Sequence, residues 1–314
     1  MPVDILIPVR NQYLLIRQLF ESICMKIPNK EIGKIIIVDD HSSDRRQINY
    51  LKYLFEKGMI HFVRNGIPLP SYYSNIPLPF LKSKGHGGSL NIGLEYVTAE
   101  YVFIIDPDCI ILRKDILKNS LPCFDQDPKI MSVGQVVGGV RGIKVIGQKE
   151  RENPETKTEY VRKKPHHYGM TNASCMLVRM EAWKNHGISK FWNGGWAHMP
   201  FGKSIFGKEF KTCNFNFYTD EYLIHLGRAT MKNMKFKYLR FRTFKDGTPP
   251  YGMSYEQPYY GRKELGENYI GYLELKVPSE EYDRLLEEKY GDLPFDQMAQ
   301  PVDPRLFGPP LKQN

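Results

Sequence analysis

Cysteine is scarce and badly spaced for chemistry. The five residues Cys24, Cys109, Cys123, Cys175 and Cys213 are an odd number and contain no Cys-x-x-Cys pair. That excludes a disulfide framework and a cysteine-based zinc site, and reads as reduced, buried thiols of a cytoplasmic protein. Long apolar runs are missing too: nothing approaches the ~18 uncharged residues that span a bilayer. The opening "MPVDILIPVRNQ" lacks the basic and long apolar regions of a secretory signal, so a soluble, cytoplasmic chain is expected. There is no long Lys/Arg tract, P-loop, Gly-x-Gly-x-x-Gly fingerprint or internal repeat. The formal charge of +9 suits anionic partners. Because the basic residues are scattered, no specific nucleic-acid binding is expected; a phosphorylated small molecule or peripheral contact with a membrane surface fits instead.

What is present is a chain of 314 residues with 41% hydrophobic and 13% aromatic content. That is enough for one large α/β domain or two modest ones. "VDILIPV" (3–9) reads as a buried strand, followed by a helix over "QYLLIRQLFESICM" with Leu15, Leu19 and Ile23 at helical spacing. "KIIIVDDHSSD" (34–44) is a second strand stopped by acids and serines, and "RRQINYLKYLFEKG" is a helix closed by Gly58. "MIHFVRN" (59–65) is a third strand. After a Pro-rich loop (66–80), "GHGGSLNIGLEYV" enters a helix and "YVFIIDPDCIIL" (101–112) supplies a fourth strand. Alternating strands and helices imply a mainly parallel sheet with right-handed crossovers, whose ligands bind at the carboxyl ends of the strands.

The second half is less regular. A strand over 129–140 precedes a charged loop over 141–165. A strand and short helix follow over 171–187, then a helix over "YTDEYLIHLGRATMKN" (218–233) and a strand over "KFKYLRFRTF". Past residue 246 the one expected element is a helix over 278–291; the Pro-rich tail 293–314 wraps the surface or is disordered.

Acidic residues stand at two strand ends. Asp106 and Asp108 flank Pro107 after a strongly apolar run, where charge is costly unless paired, solvated or bound to a cation. A turn at Pro107 can aim both carboxylates at one point, an oxygen donor set for Mg²⁺ or Mn²⁺ shared with substrate phosphates; solvated turn acids are the plainer reading. Asp39-Asp40 repeats the pattern, either as a site or as a turn capping the next helix. The glycines of "KGHGGSLNIG" let backbone approach a phosphate at a helix N-terminus, or simply form a flexible loop.

In this order, "PVRN", "VDDHSSD" and "GHGGSLNIGLEYVTAEYVFIIDPDCII" resemble the nucleotide-sugar-binding half of GT-A glycosyltransferases of the family 2 type over residues 3–112. The resemblance implies a GT-A fold, Rossmann-like with a mainly parallel sheet flanked by helices, and an irregular C-terminal extension. It implies that Pro8 and Arg10 border the nucleotide and that Asp39, with Asp40, contacts base and ribose. Gly87 through Asn91 would lie beside the donor, Asp106 would approach ribose or metal, and Asp108 would hold Mn²⁺ or Mg²⁺ on the diphosphate. His41 stands where the family has glycine, Leu90 where it often has a basic residue, and Cys109 where a third acid is frequent.

Inverting members use an acid as base toward the acceptor. Asp220-Glu221 resembles that element, with Glu221 favoured by register; complementing a helix dipole is the other reading. Trp196 in "FWNGGWAHMPFGKS" lines the acceptor site or belongs to the core. His198 or His225 serves as a third metal ligand or as an ordinary hydrogen-bonding residue. His166-His167 with Lys163-Lys164 is a candidate loop closing over the diphosphate. The expected organisation is a donor-binding half over 1–125, an acceptor-binding half over 126–245 and an extension over 246–314. The expected activity is metal-dependent, inverting transfer from a nucleotide-diphosphate sugar to a glycan, lipid-linked or protein acceptor. The alternatives are a sugar nucleotidyltransferase and a non-catalytic nucleotide- or glycan-binding module.

Overall fold

The computed structural model describes residues 1–64, 67–68, 84–137, 170–186, 188, 190–191, 208, 210–215, 222–226, 236–244 and 269–304. Its centre is an eight-stranded sheet in the order β4-β3-β2-β1-β5-β8-β7-β9. The strands are β1 (Val3–Val9), β2 (Ile32–Asp39), β3 (His61–Arg64), β4 (Ile67–Pro68), β5 (Tyr101–Ile105), β7 (Ile130–Val137), β8 (Met170–Arg179) and β9 (Lys211–Asn214). The run β3-β2-β1-β5 is parallel throughout. β8 is antiparallel to both β5 and β7, while β9 is parallel to β7. The expected α/β class with a mainly parallel sheet is therefore the observed one.

Strands β1, β2 and β5 read as unbroken apolar runs because helices cover both faces of the sheet. Ile5, Ile7, Ile37, Phe103 and Ile105 face one layer with α1 (Tyr13–Lys26) and α2 (Arg45–Glu56). Leu6, Ile36, Val38, Val102 and Ile104 face the other, with α3 (Gly85–Leu94). Helix α3 comes unusually near: a Cβ on Gly93 would collide with Leu6 Cδ1 and lie 3.0 Å from Val38 Cγ2. Any larger residue there would have to push the Leu6 and Val38 side chains aside, which glycine avoids.

Three expectations change. The helix over 218–233 does not hold for Leu223–His225, which form strand β10, antiparallel to β6 (Cys109–Ile111). A short apolar run fits either element by periodicity, and here a partner strand decides. Strand β12 (Tyr269–Pro278), absent from the expectation for the region past 246, pairs antiparallel with β11 (Phe236–Phe244). Within the Pro-rich loop, Ile67–Pro68 forms β4 against β3.

The tail takes the wrapping alternative as far as residue 304. After α4 (Ile116–Ser120) and α5 (Met180–Asn185), helix α6 (Ser279–Tyr290) packs on α1, and residues 291–304 run on as a strap. The strap is stitched to the polar face of α1. The guanidinium of Arg17, fully buried, donates to the carbonyls of Leu293 at 2.6 Å, Pro294 at 2.8 Å and Gln297 at 3.0 Å. Glu21 accepts from Ala299 N, and Gln18 Oε1 from Val302 N at 2.8 Å. Helix α1 is thus buried on both its apolar and its polar side. Ser279, read as a cap, is the first residue of α6.

Candidate active site

The carboxyl ends of β2, β1 and β5 lie side by side, so the two acid-tipped strands share one sheet edge. At the β2 end Asp39 is wholly buried, with Arg64 Nε 3.0 Å from its Oδ2. Its Oδ1 accepts from Gln47 Nε2 at 2.6 Å, and Oδ2 accepts from Ser42 N at 3.1 Å. Burial outweighs these partners and raises the Asp39 carboxyl. Asp40 accepts from Lys84 N at 2.6 Å and Gly85 N at 3.0 Å, capping α3 from a separate strand. Gly85 reaches it at φ +72°, a left-handed conformation that glycine takes freely. The turn cap for α2 comes from Asp44, which accepts from Arg46 N at 2.9 Å.

Asn11 (φ 52°) and His41 (φ 61°) are the non-glycine residues with left-handed backbone among the described residues, and both sit at this corner. Asn11 Oδ1 accepts from Ser43 N at 2.7 Å and Asp44 N at 3.0 Å, while Asn11 N donates to Ser42 Oγ. The β1 and β2 ends are thereby clasped together. His41, at the position where the resemblance implies glycine, takes a left-handed conformation that glycine adopts freely. Its Nδ1 is buried without a hydrogen-bond partner.

At the β5 end, Pro107 breaks the strand before β6 resumes it. Asp106 Oδ1 lies 2.9 Å from Nε2 of His86, in the first turn of α3. Burial works against the charged forms of both. For Asp106 the charge of His86, with His225 beyond it, outweighs burial and lowers the carboxyl. For His86, Asp106 raises the imidazole above its ordinary 6.5. His86 keeps an edge in solvent at 38% exposure. The first turn of α3 therefore joins both acidic strand ends, through Asp40 at one and His86 at the other.

Asp108 is buried at 2% exposure, with its Oδ1 3.2 Å from Nε2 of His225. Despite that approach Oδ1 has no partner in hydrogen-bonding geometry. Asp108, Cys109 and His225 bring one ligand atom each within 4.8 Å of one another. The Cys109 thiol, pushed well up by burial and by Asp108, donates to Ser174 O at 3.6 Å. It packs as a protonated core residue, not as a replacement for the missing third acid. The remaining pair, carboxylate oxygen and imidazole nitrogen with an unfilled buried oxygen, is a donor set that fits a divalent cation.

Other expected site residues fall as follows. Pro8 is buried inside β1 opposite Val38, and Arg10 is exposed just beyond the strand. Gly87 is buried in α3. The Asn91 amide is engaged at both ends: Nδ2 donates to Phe191 O at 2.9 Å and Oδ1 accepts from Phe191 N at 2.8 Å. Asn91 thus anchors the chain entering "FWNGGW". Asp220, Glu221, Trp196, His198 and the 163–167 cluster lie outside the described residues. Tyr222, next after the acid pair, is fixed: its carbonyl accepts from Leu112 N at 2.8 Å and its hydroxyl from Asn119 Nδ2 at 2.8 Å. Arg64 and His86, the partners that hold the acids, do not stand out in the sequence because nothing local marks a long-range pair.

A family model, Glycosyl transferase family 2, matches residues 4–187, more than half of the chain and all four acids at the strand ends. The chain belongs to glycosyl transferase family 2. Among curated relatives it is 23% identical over 185 residues to the minor teichoic acid biosynthesis protein GgaB of Bacillus subtilis (strain 168). The match covers 58% of this chain but 18% of GgaB, so the chain spans under a fifth of that relative's length. Solved structures that resemble it include the Pyrobaculum calidifontis mannosyltransferase PcManGT in complex with GDP-Man and Mn²⁺. That likeness has a TM-score of 0.46 and 17% identity, over 68% of this chain and 54% of the other. Residues 1–349 of S. aureus TarS in complex with UDP-GlcNAc give 0.45 and 18%, over 68% and 55%. The family 2 match ends before His225, α6 and the strap.

Proposed function

We propose that this chain transfers a glycosyl group from a nucleotide-diphosphate sugar to an acceptor hydroxyl, inverting by direct displacement and depending on a divalent cation. The observation that carries the reading is Asp108: a buried carboxylate at the ligand-binding edge, with an unfilled oxygen beside His225 Nε2. The oxygen and nitrogen donors favour Mn²⁺ over Mg²⁺, which demands oxygen ligands more strictly. Such a cation, when bound, neutralises the departing nucleoside diphosphate.

The chain's own groups do the rest. Asp106, held by His86, faces the ribose or completes the cation's ligands. Asp39 and Asp40 define the nucleoside end of the edge, with Pro8, Arg10, Gly87 and Asn91 framing the donor. Glu221, with Asp220 as the second candidate, takes the acceptor proton as the acceptor oxygen bonds to the anomeric carbon and the bond to phosphate breaks. Trp196 offers an aromatic face to the acceptor, a glycan, a lipid-linked sugar or a protein. Residues 1–125 then serve the donor and 126–245 the acceptor.

The test is a panel of nucleotide sugars, beginning with UDP-GlcNAc and GDP-mannose, scored for Mn²⁺-dependent release of nucleoside diphosphate. Asp108→Ala should reduce turnover at least ~100-fold with the fold intact, the scale for losing a charge-stabilising group. Turnover indifferent to EDTA and to Asp108→Ala would contradict the metal role. Release of pyrophosphate from a sugar phosphate and a nucleoside triphosphate would favour a nucleotidyltransferase.

A further inference from the structure

The Asp108–His225 pair stands on a ribbon of two three-residue strands, β6 and β10, separate from the main sheet. An isolated two-stranded ribbon is marginal in water and takes its rigidity from what packs on its faces. Successive side chains alternate between those faces. On the front, Cys109, Ile111 and Leu223 join the main core under α1. On the back, Ile110 and Ile224, with Leu226 just past the strand, join a separate apolar cluster with Tyr282, Leu286, Tyr290 and Val302. His225 follows Leu223 in alternation and so shares the front face, directly opposite Cys109 in register. The back wall of the ribbon is α6 and the strap, together with Leu15 of α1.

That wall is held by the polar face of α1. Gln18 Nε2 donates to the Tyr282 hydroxyl at 2.8 Å, the hydroxyl donates to Val302 O at 3.2 Å, and Val302 N donates to Gln18 Oε1 at 2.8 Å. This closed circuit ties helix, wall and strap together, with Arg17 securing the strap further along. The ribbon itself is pinned by Ile111 N donating to Ser22 Oγ at 3.0 Å and Leu226 N donating to Asp108 O at 2.9 Å.

We infer that α6 and the strap are a positioning element for the cation site, in which Leu286 and Tyr282 fix the β6–β10 ribbon and thereby the spacing of Asp108 and His225. The inference rests on the cation reading of that pair. It assigns a role to residues 279–304, which lie outside the family match, and ties binding strength at the site to packing behind it. Groups that orient metal ligands at one remove commonly matter ~10–100-fold in metal affinity.

The test measures Mn²⁺ binding directly, by electron paramagnetic resonance on the full chain, below the melting temperature of every variant. Leu286→Ala opens space behind Ile224. Leu54→Ala makes the same truncation on α2 in the main core, outside the cluster behind the ribbon. Leu286→Ala should weaken Mn²⁺ binding ~10-fold, while Leu54→Ala leaves it within about twofold, because only the first loosens the ligand-bearing strands. Should Leu286→Ala fail to fold, Tyr282→Phe, which breaks the circuit with almost no loss of volume, should weaken binding in the same direction. Equal effects of Leu286→Ala and Leu54→Ala, or none from Leu286→Ala or Tyr282→Phe, would overturn the positioning role alone. A wild-type chain that binds no Mn²⁺ would overturn the cation reading and this inference with it.

Discussion

At the scale of residues, the acids at the strand ends divide into those the chain satisfies and one it leaves open. Asp39 is satisfied by Arg64, Gln47 and Ser42, and a buried ion pair that loses one partner strands the other charge. Asp39→Ala should cost about 3–5 kcal/mol in urea unfolding, whereas a solvated turn acid would cost under ~1 kcal/mol. His41 makes the opposite prediction. Its φ of 61° suits glycine, so His41→Gly should raise stability by up to ~1 kcal/mol, read as a higher melting temperature. A loss of stability would mean that the imidazole makes contacts worth more than its strain. The sequence displayed Asp39, Asp40, Asp106 and Asp108 because acids after apolar runs are conspicuous. It hid Arg64, His86 and Gln47 because their pairing depends on how the strands are ordered, and spacing along the chain carries no trace of that.

At the scale of elements, periodicity revealed the first half well. Strands β1, β2, β3 and β5 and helices α1, α2 and α3 all lie where the sequence patterns put them, since the strands are continuous apolar runs buried on both faces and the helices between them are bounded by polar or glycine-rich turns. Strand β10 does not stand out from the helical pattern around it because three buried residues, Leu223–His225, carry no period of their own. Helix α1 shows a subtler limit. Arg17, Gln18 and Glu21 are polar or charged, yet they are buried as the anchor for the strap, whose carbonyls and amides end on them. Arg17→Met should therefore leave those carbonyls and Glu21 without their cation, at about 3–5 kcal/mol. Limited proteolysis should cut faster within 291–304 in that variant. Unchanged cleavage would show that the apolar contacts of Tyr282, Leu286 and Val302 hold the strap unaided.

At the scale of the whole molecule, the strand order β2-β1-β5 brings two acid-tipped ends to one edge, α3 bridges them through Asp40 and His86, and the β6–β10 ribbon sets His225 beside Asp108. Residues far apart in the chain thus form one polar edge on an apolar body, and the C-terminal layer braces that edge from behind. The sequence foretold the edge; the bracing came from a tail whose proline-rich composition suggested only a wrapping or disordered end. The central claim is that Asp108 binds a divalent cation that nucleoside diphosphates need. It is tested most directly by titration calorimetry of UDP and GDP into the wild-type chain and Asp108→Ala, each with Mn²⁺ and with EDTA. The account predicts binding of at least one nucleotide that requires Mn²⁺ and disappears in Asp108→Ala; equal binding in EDTA, or unaltered binding by the variant, would contradict it.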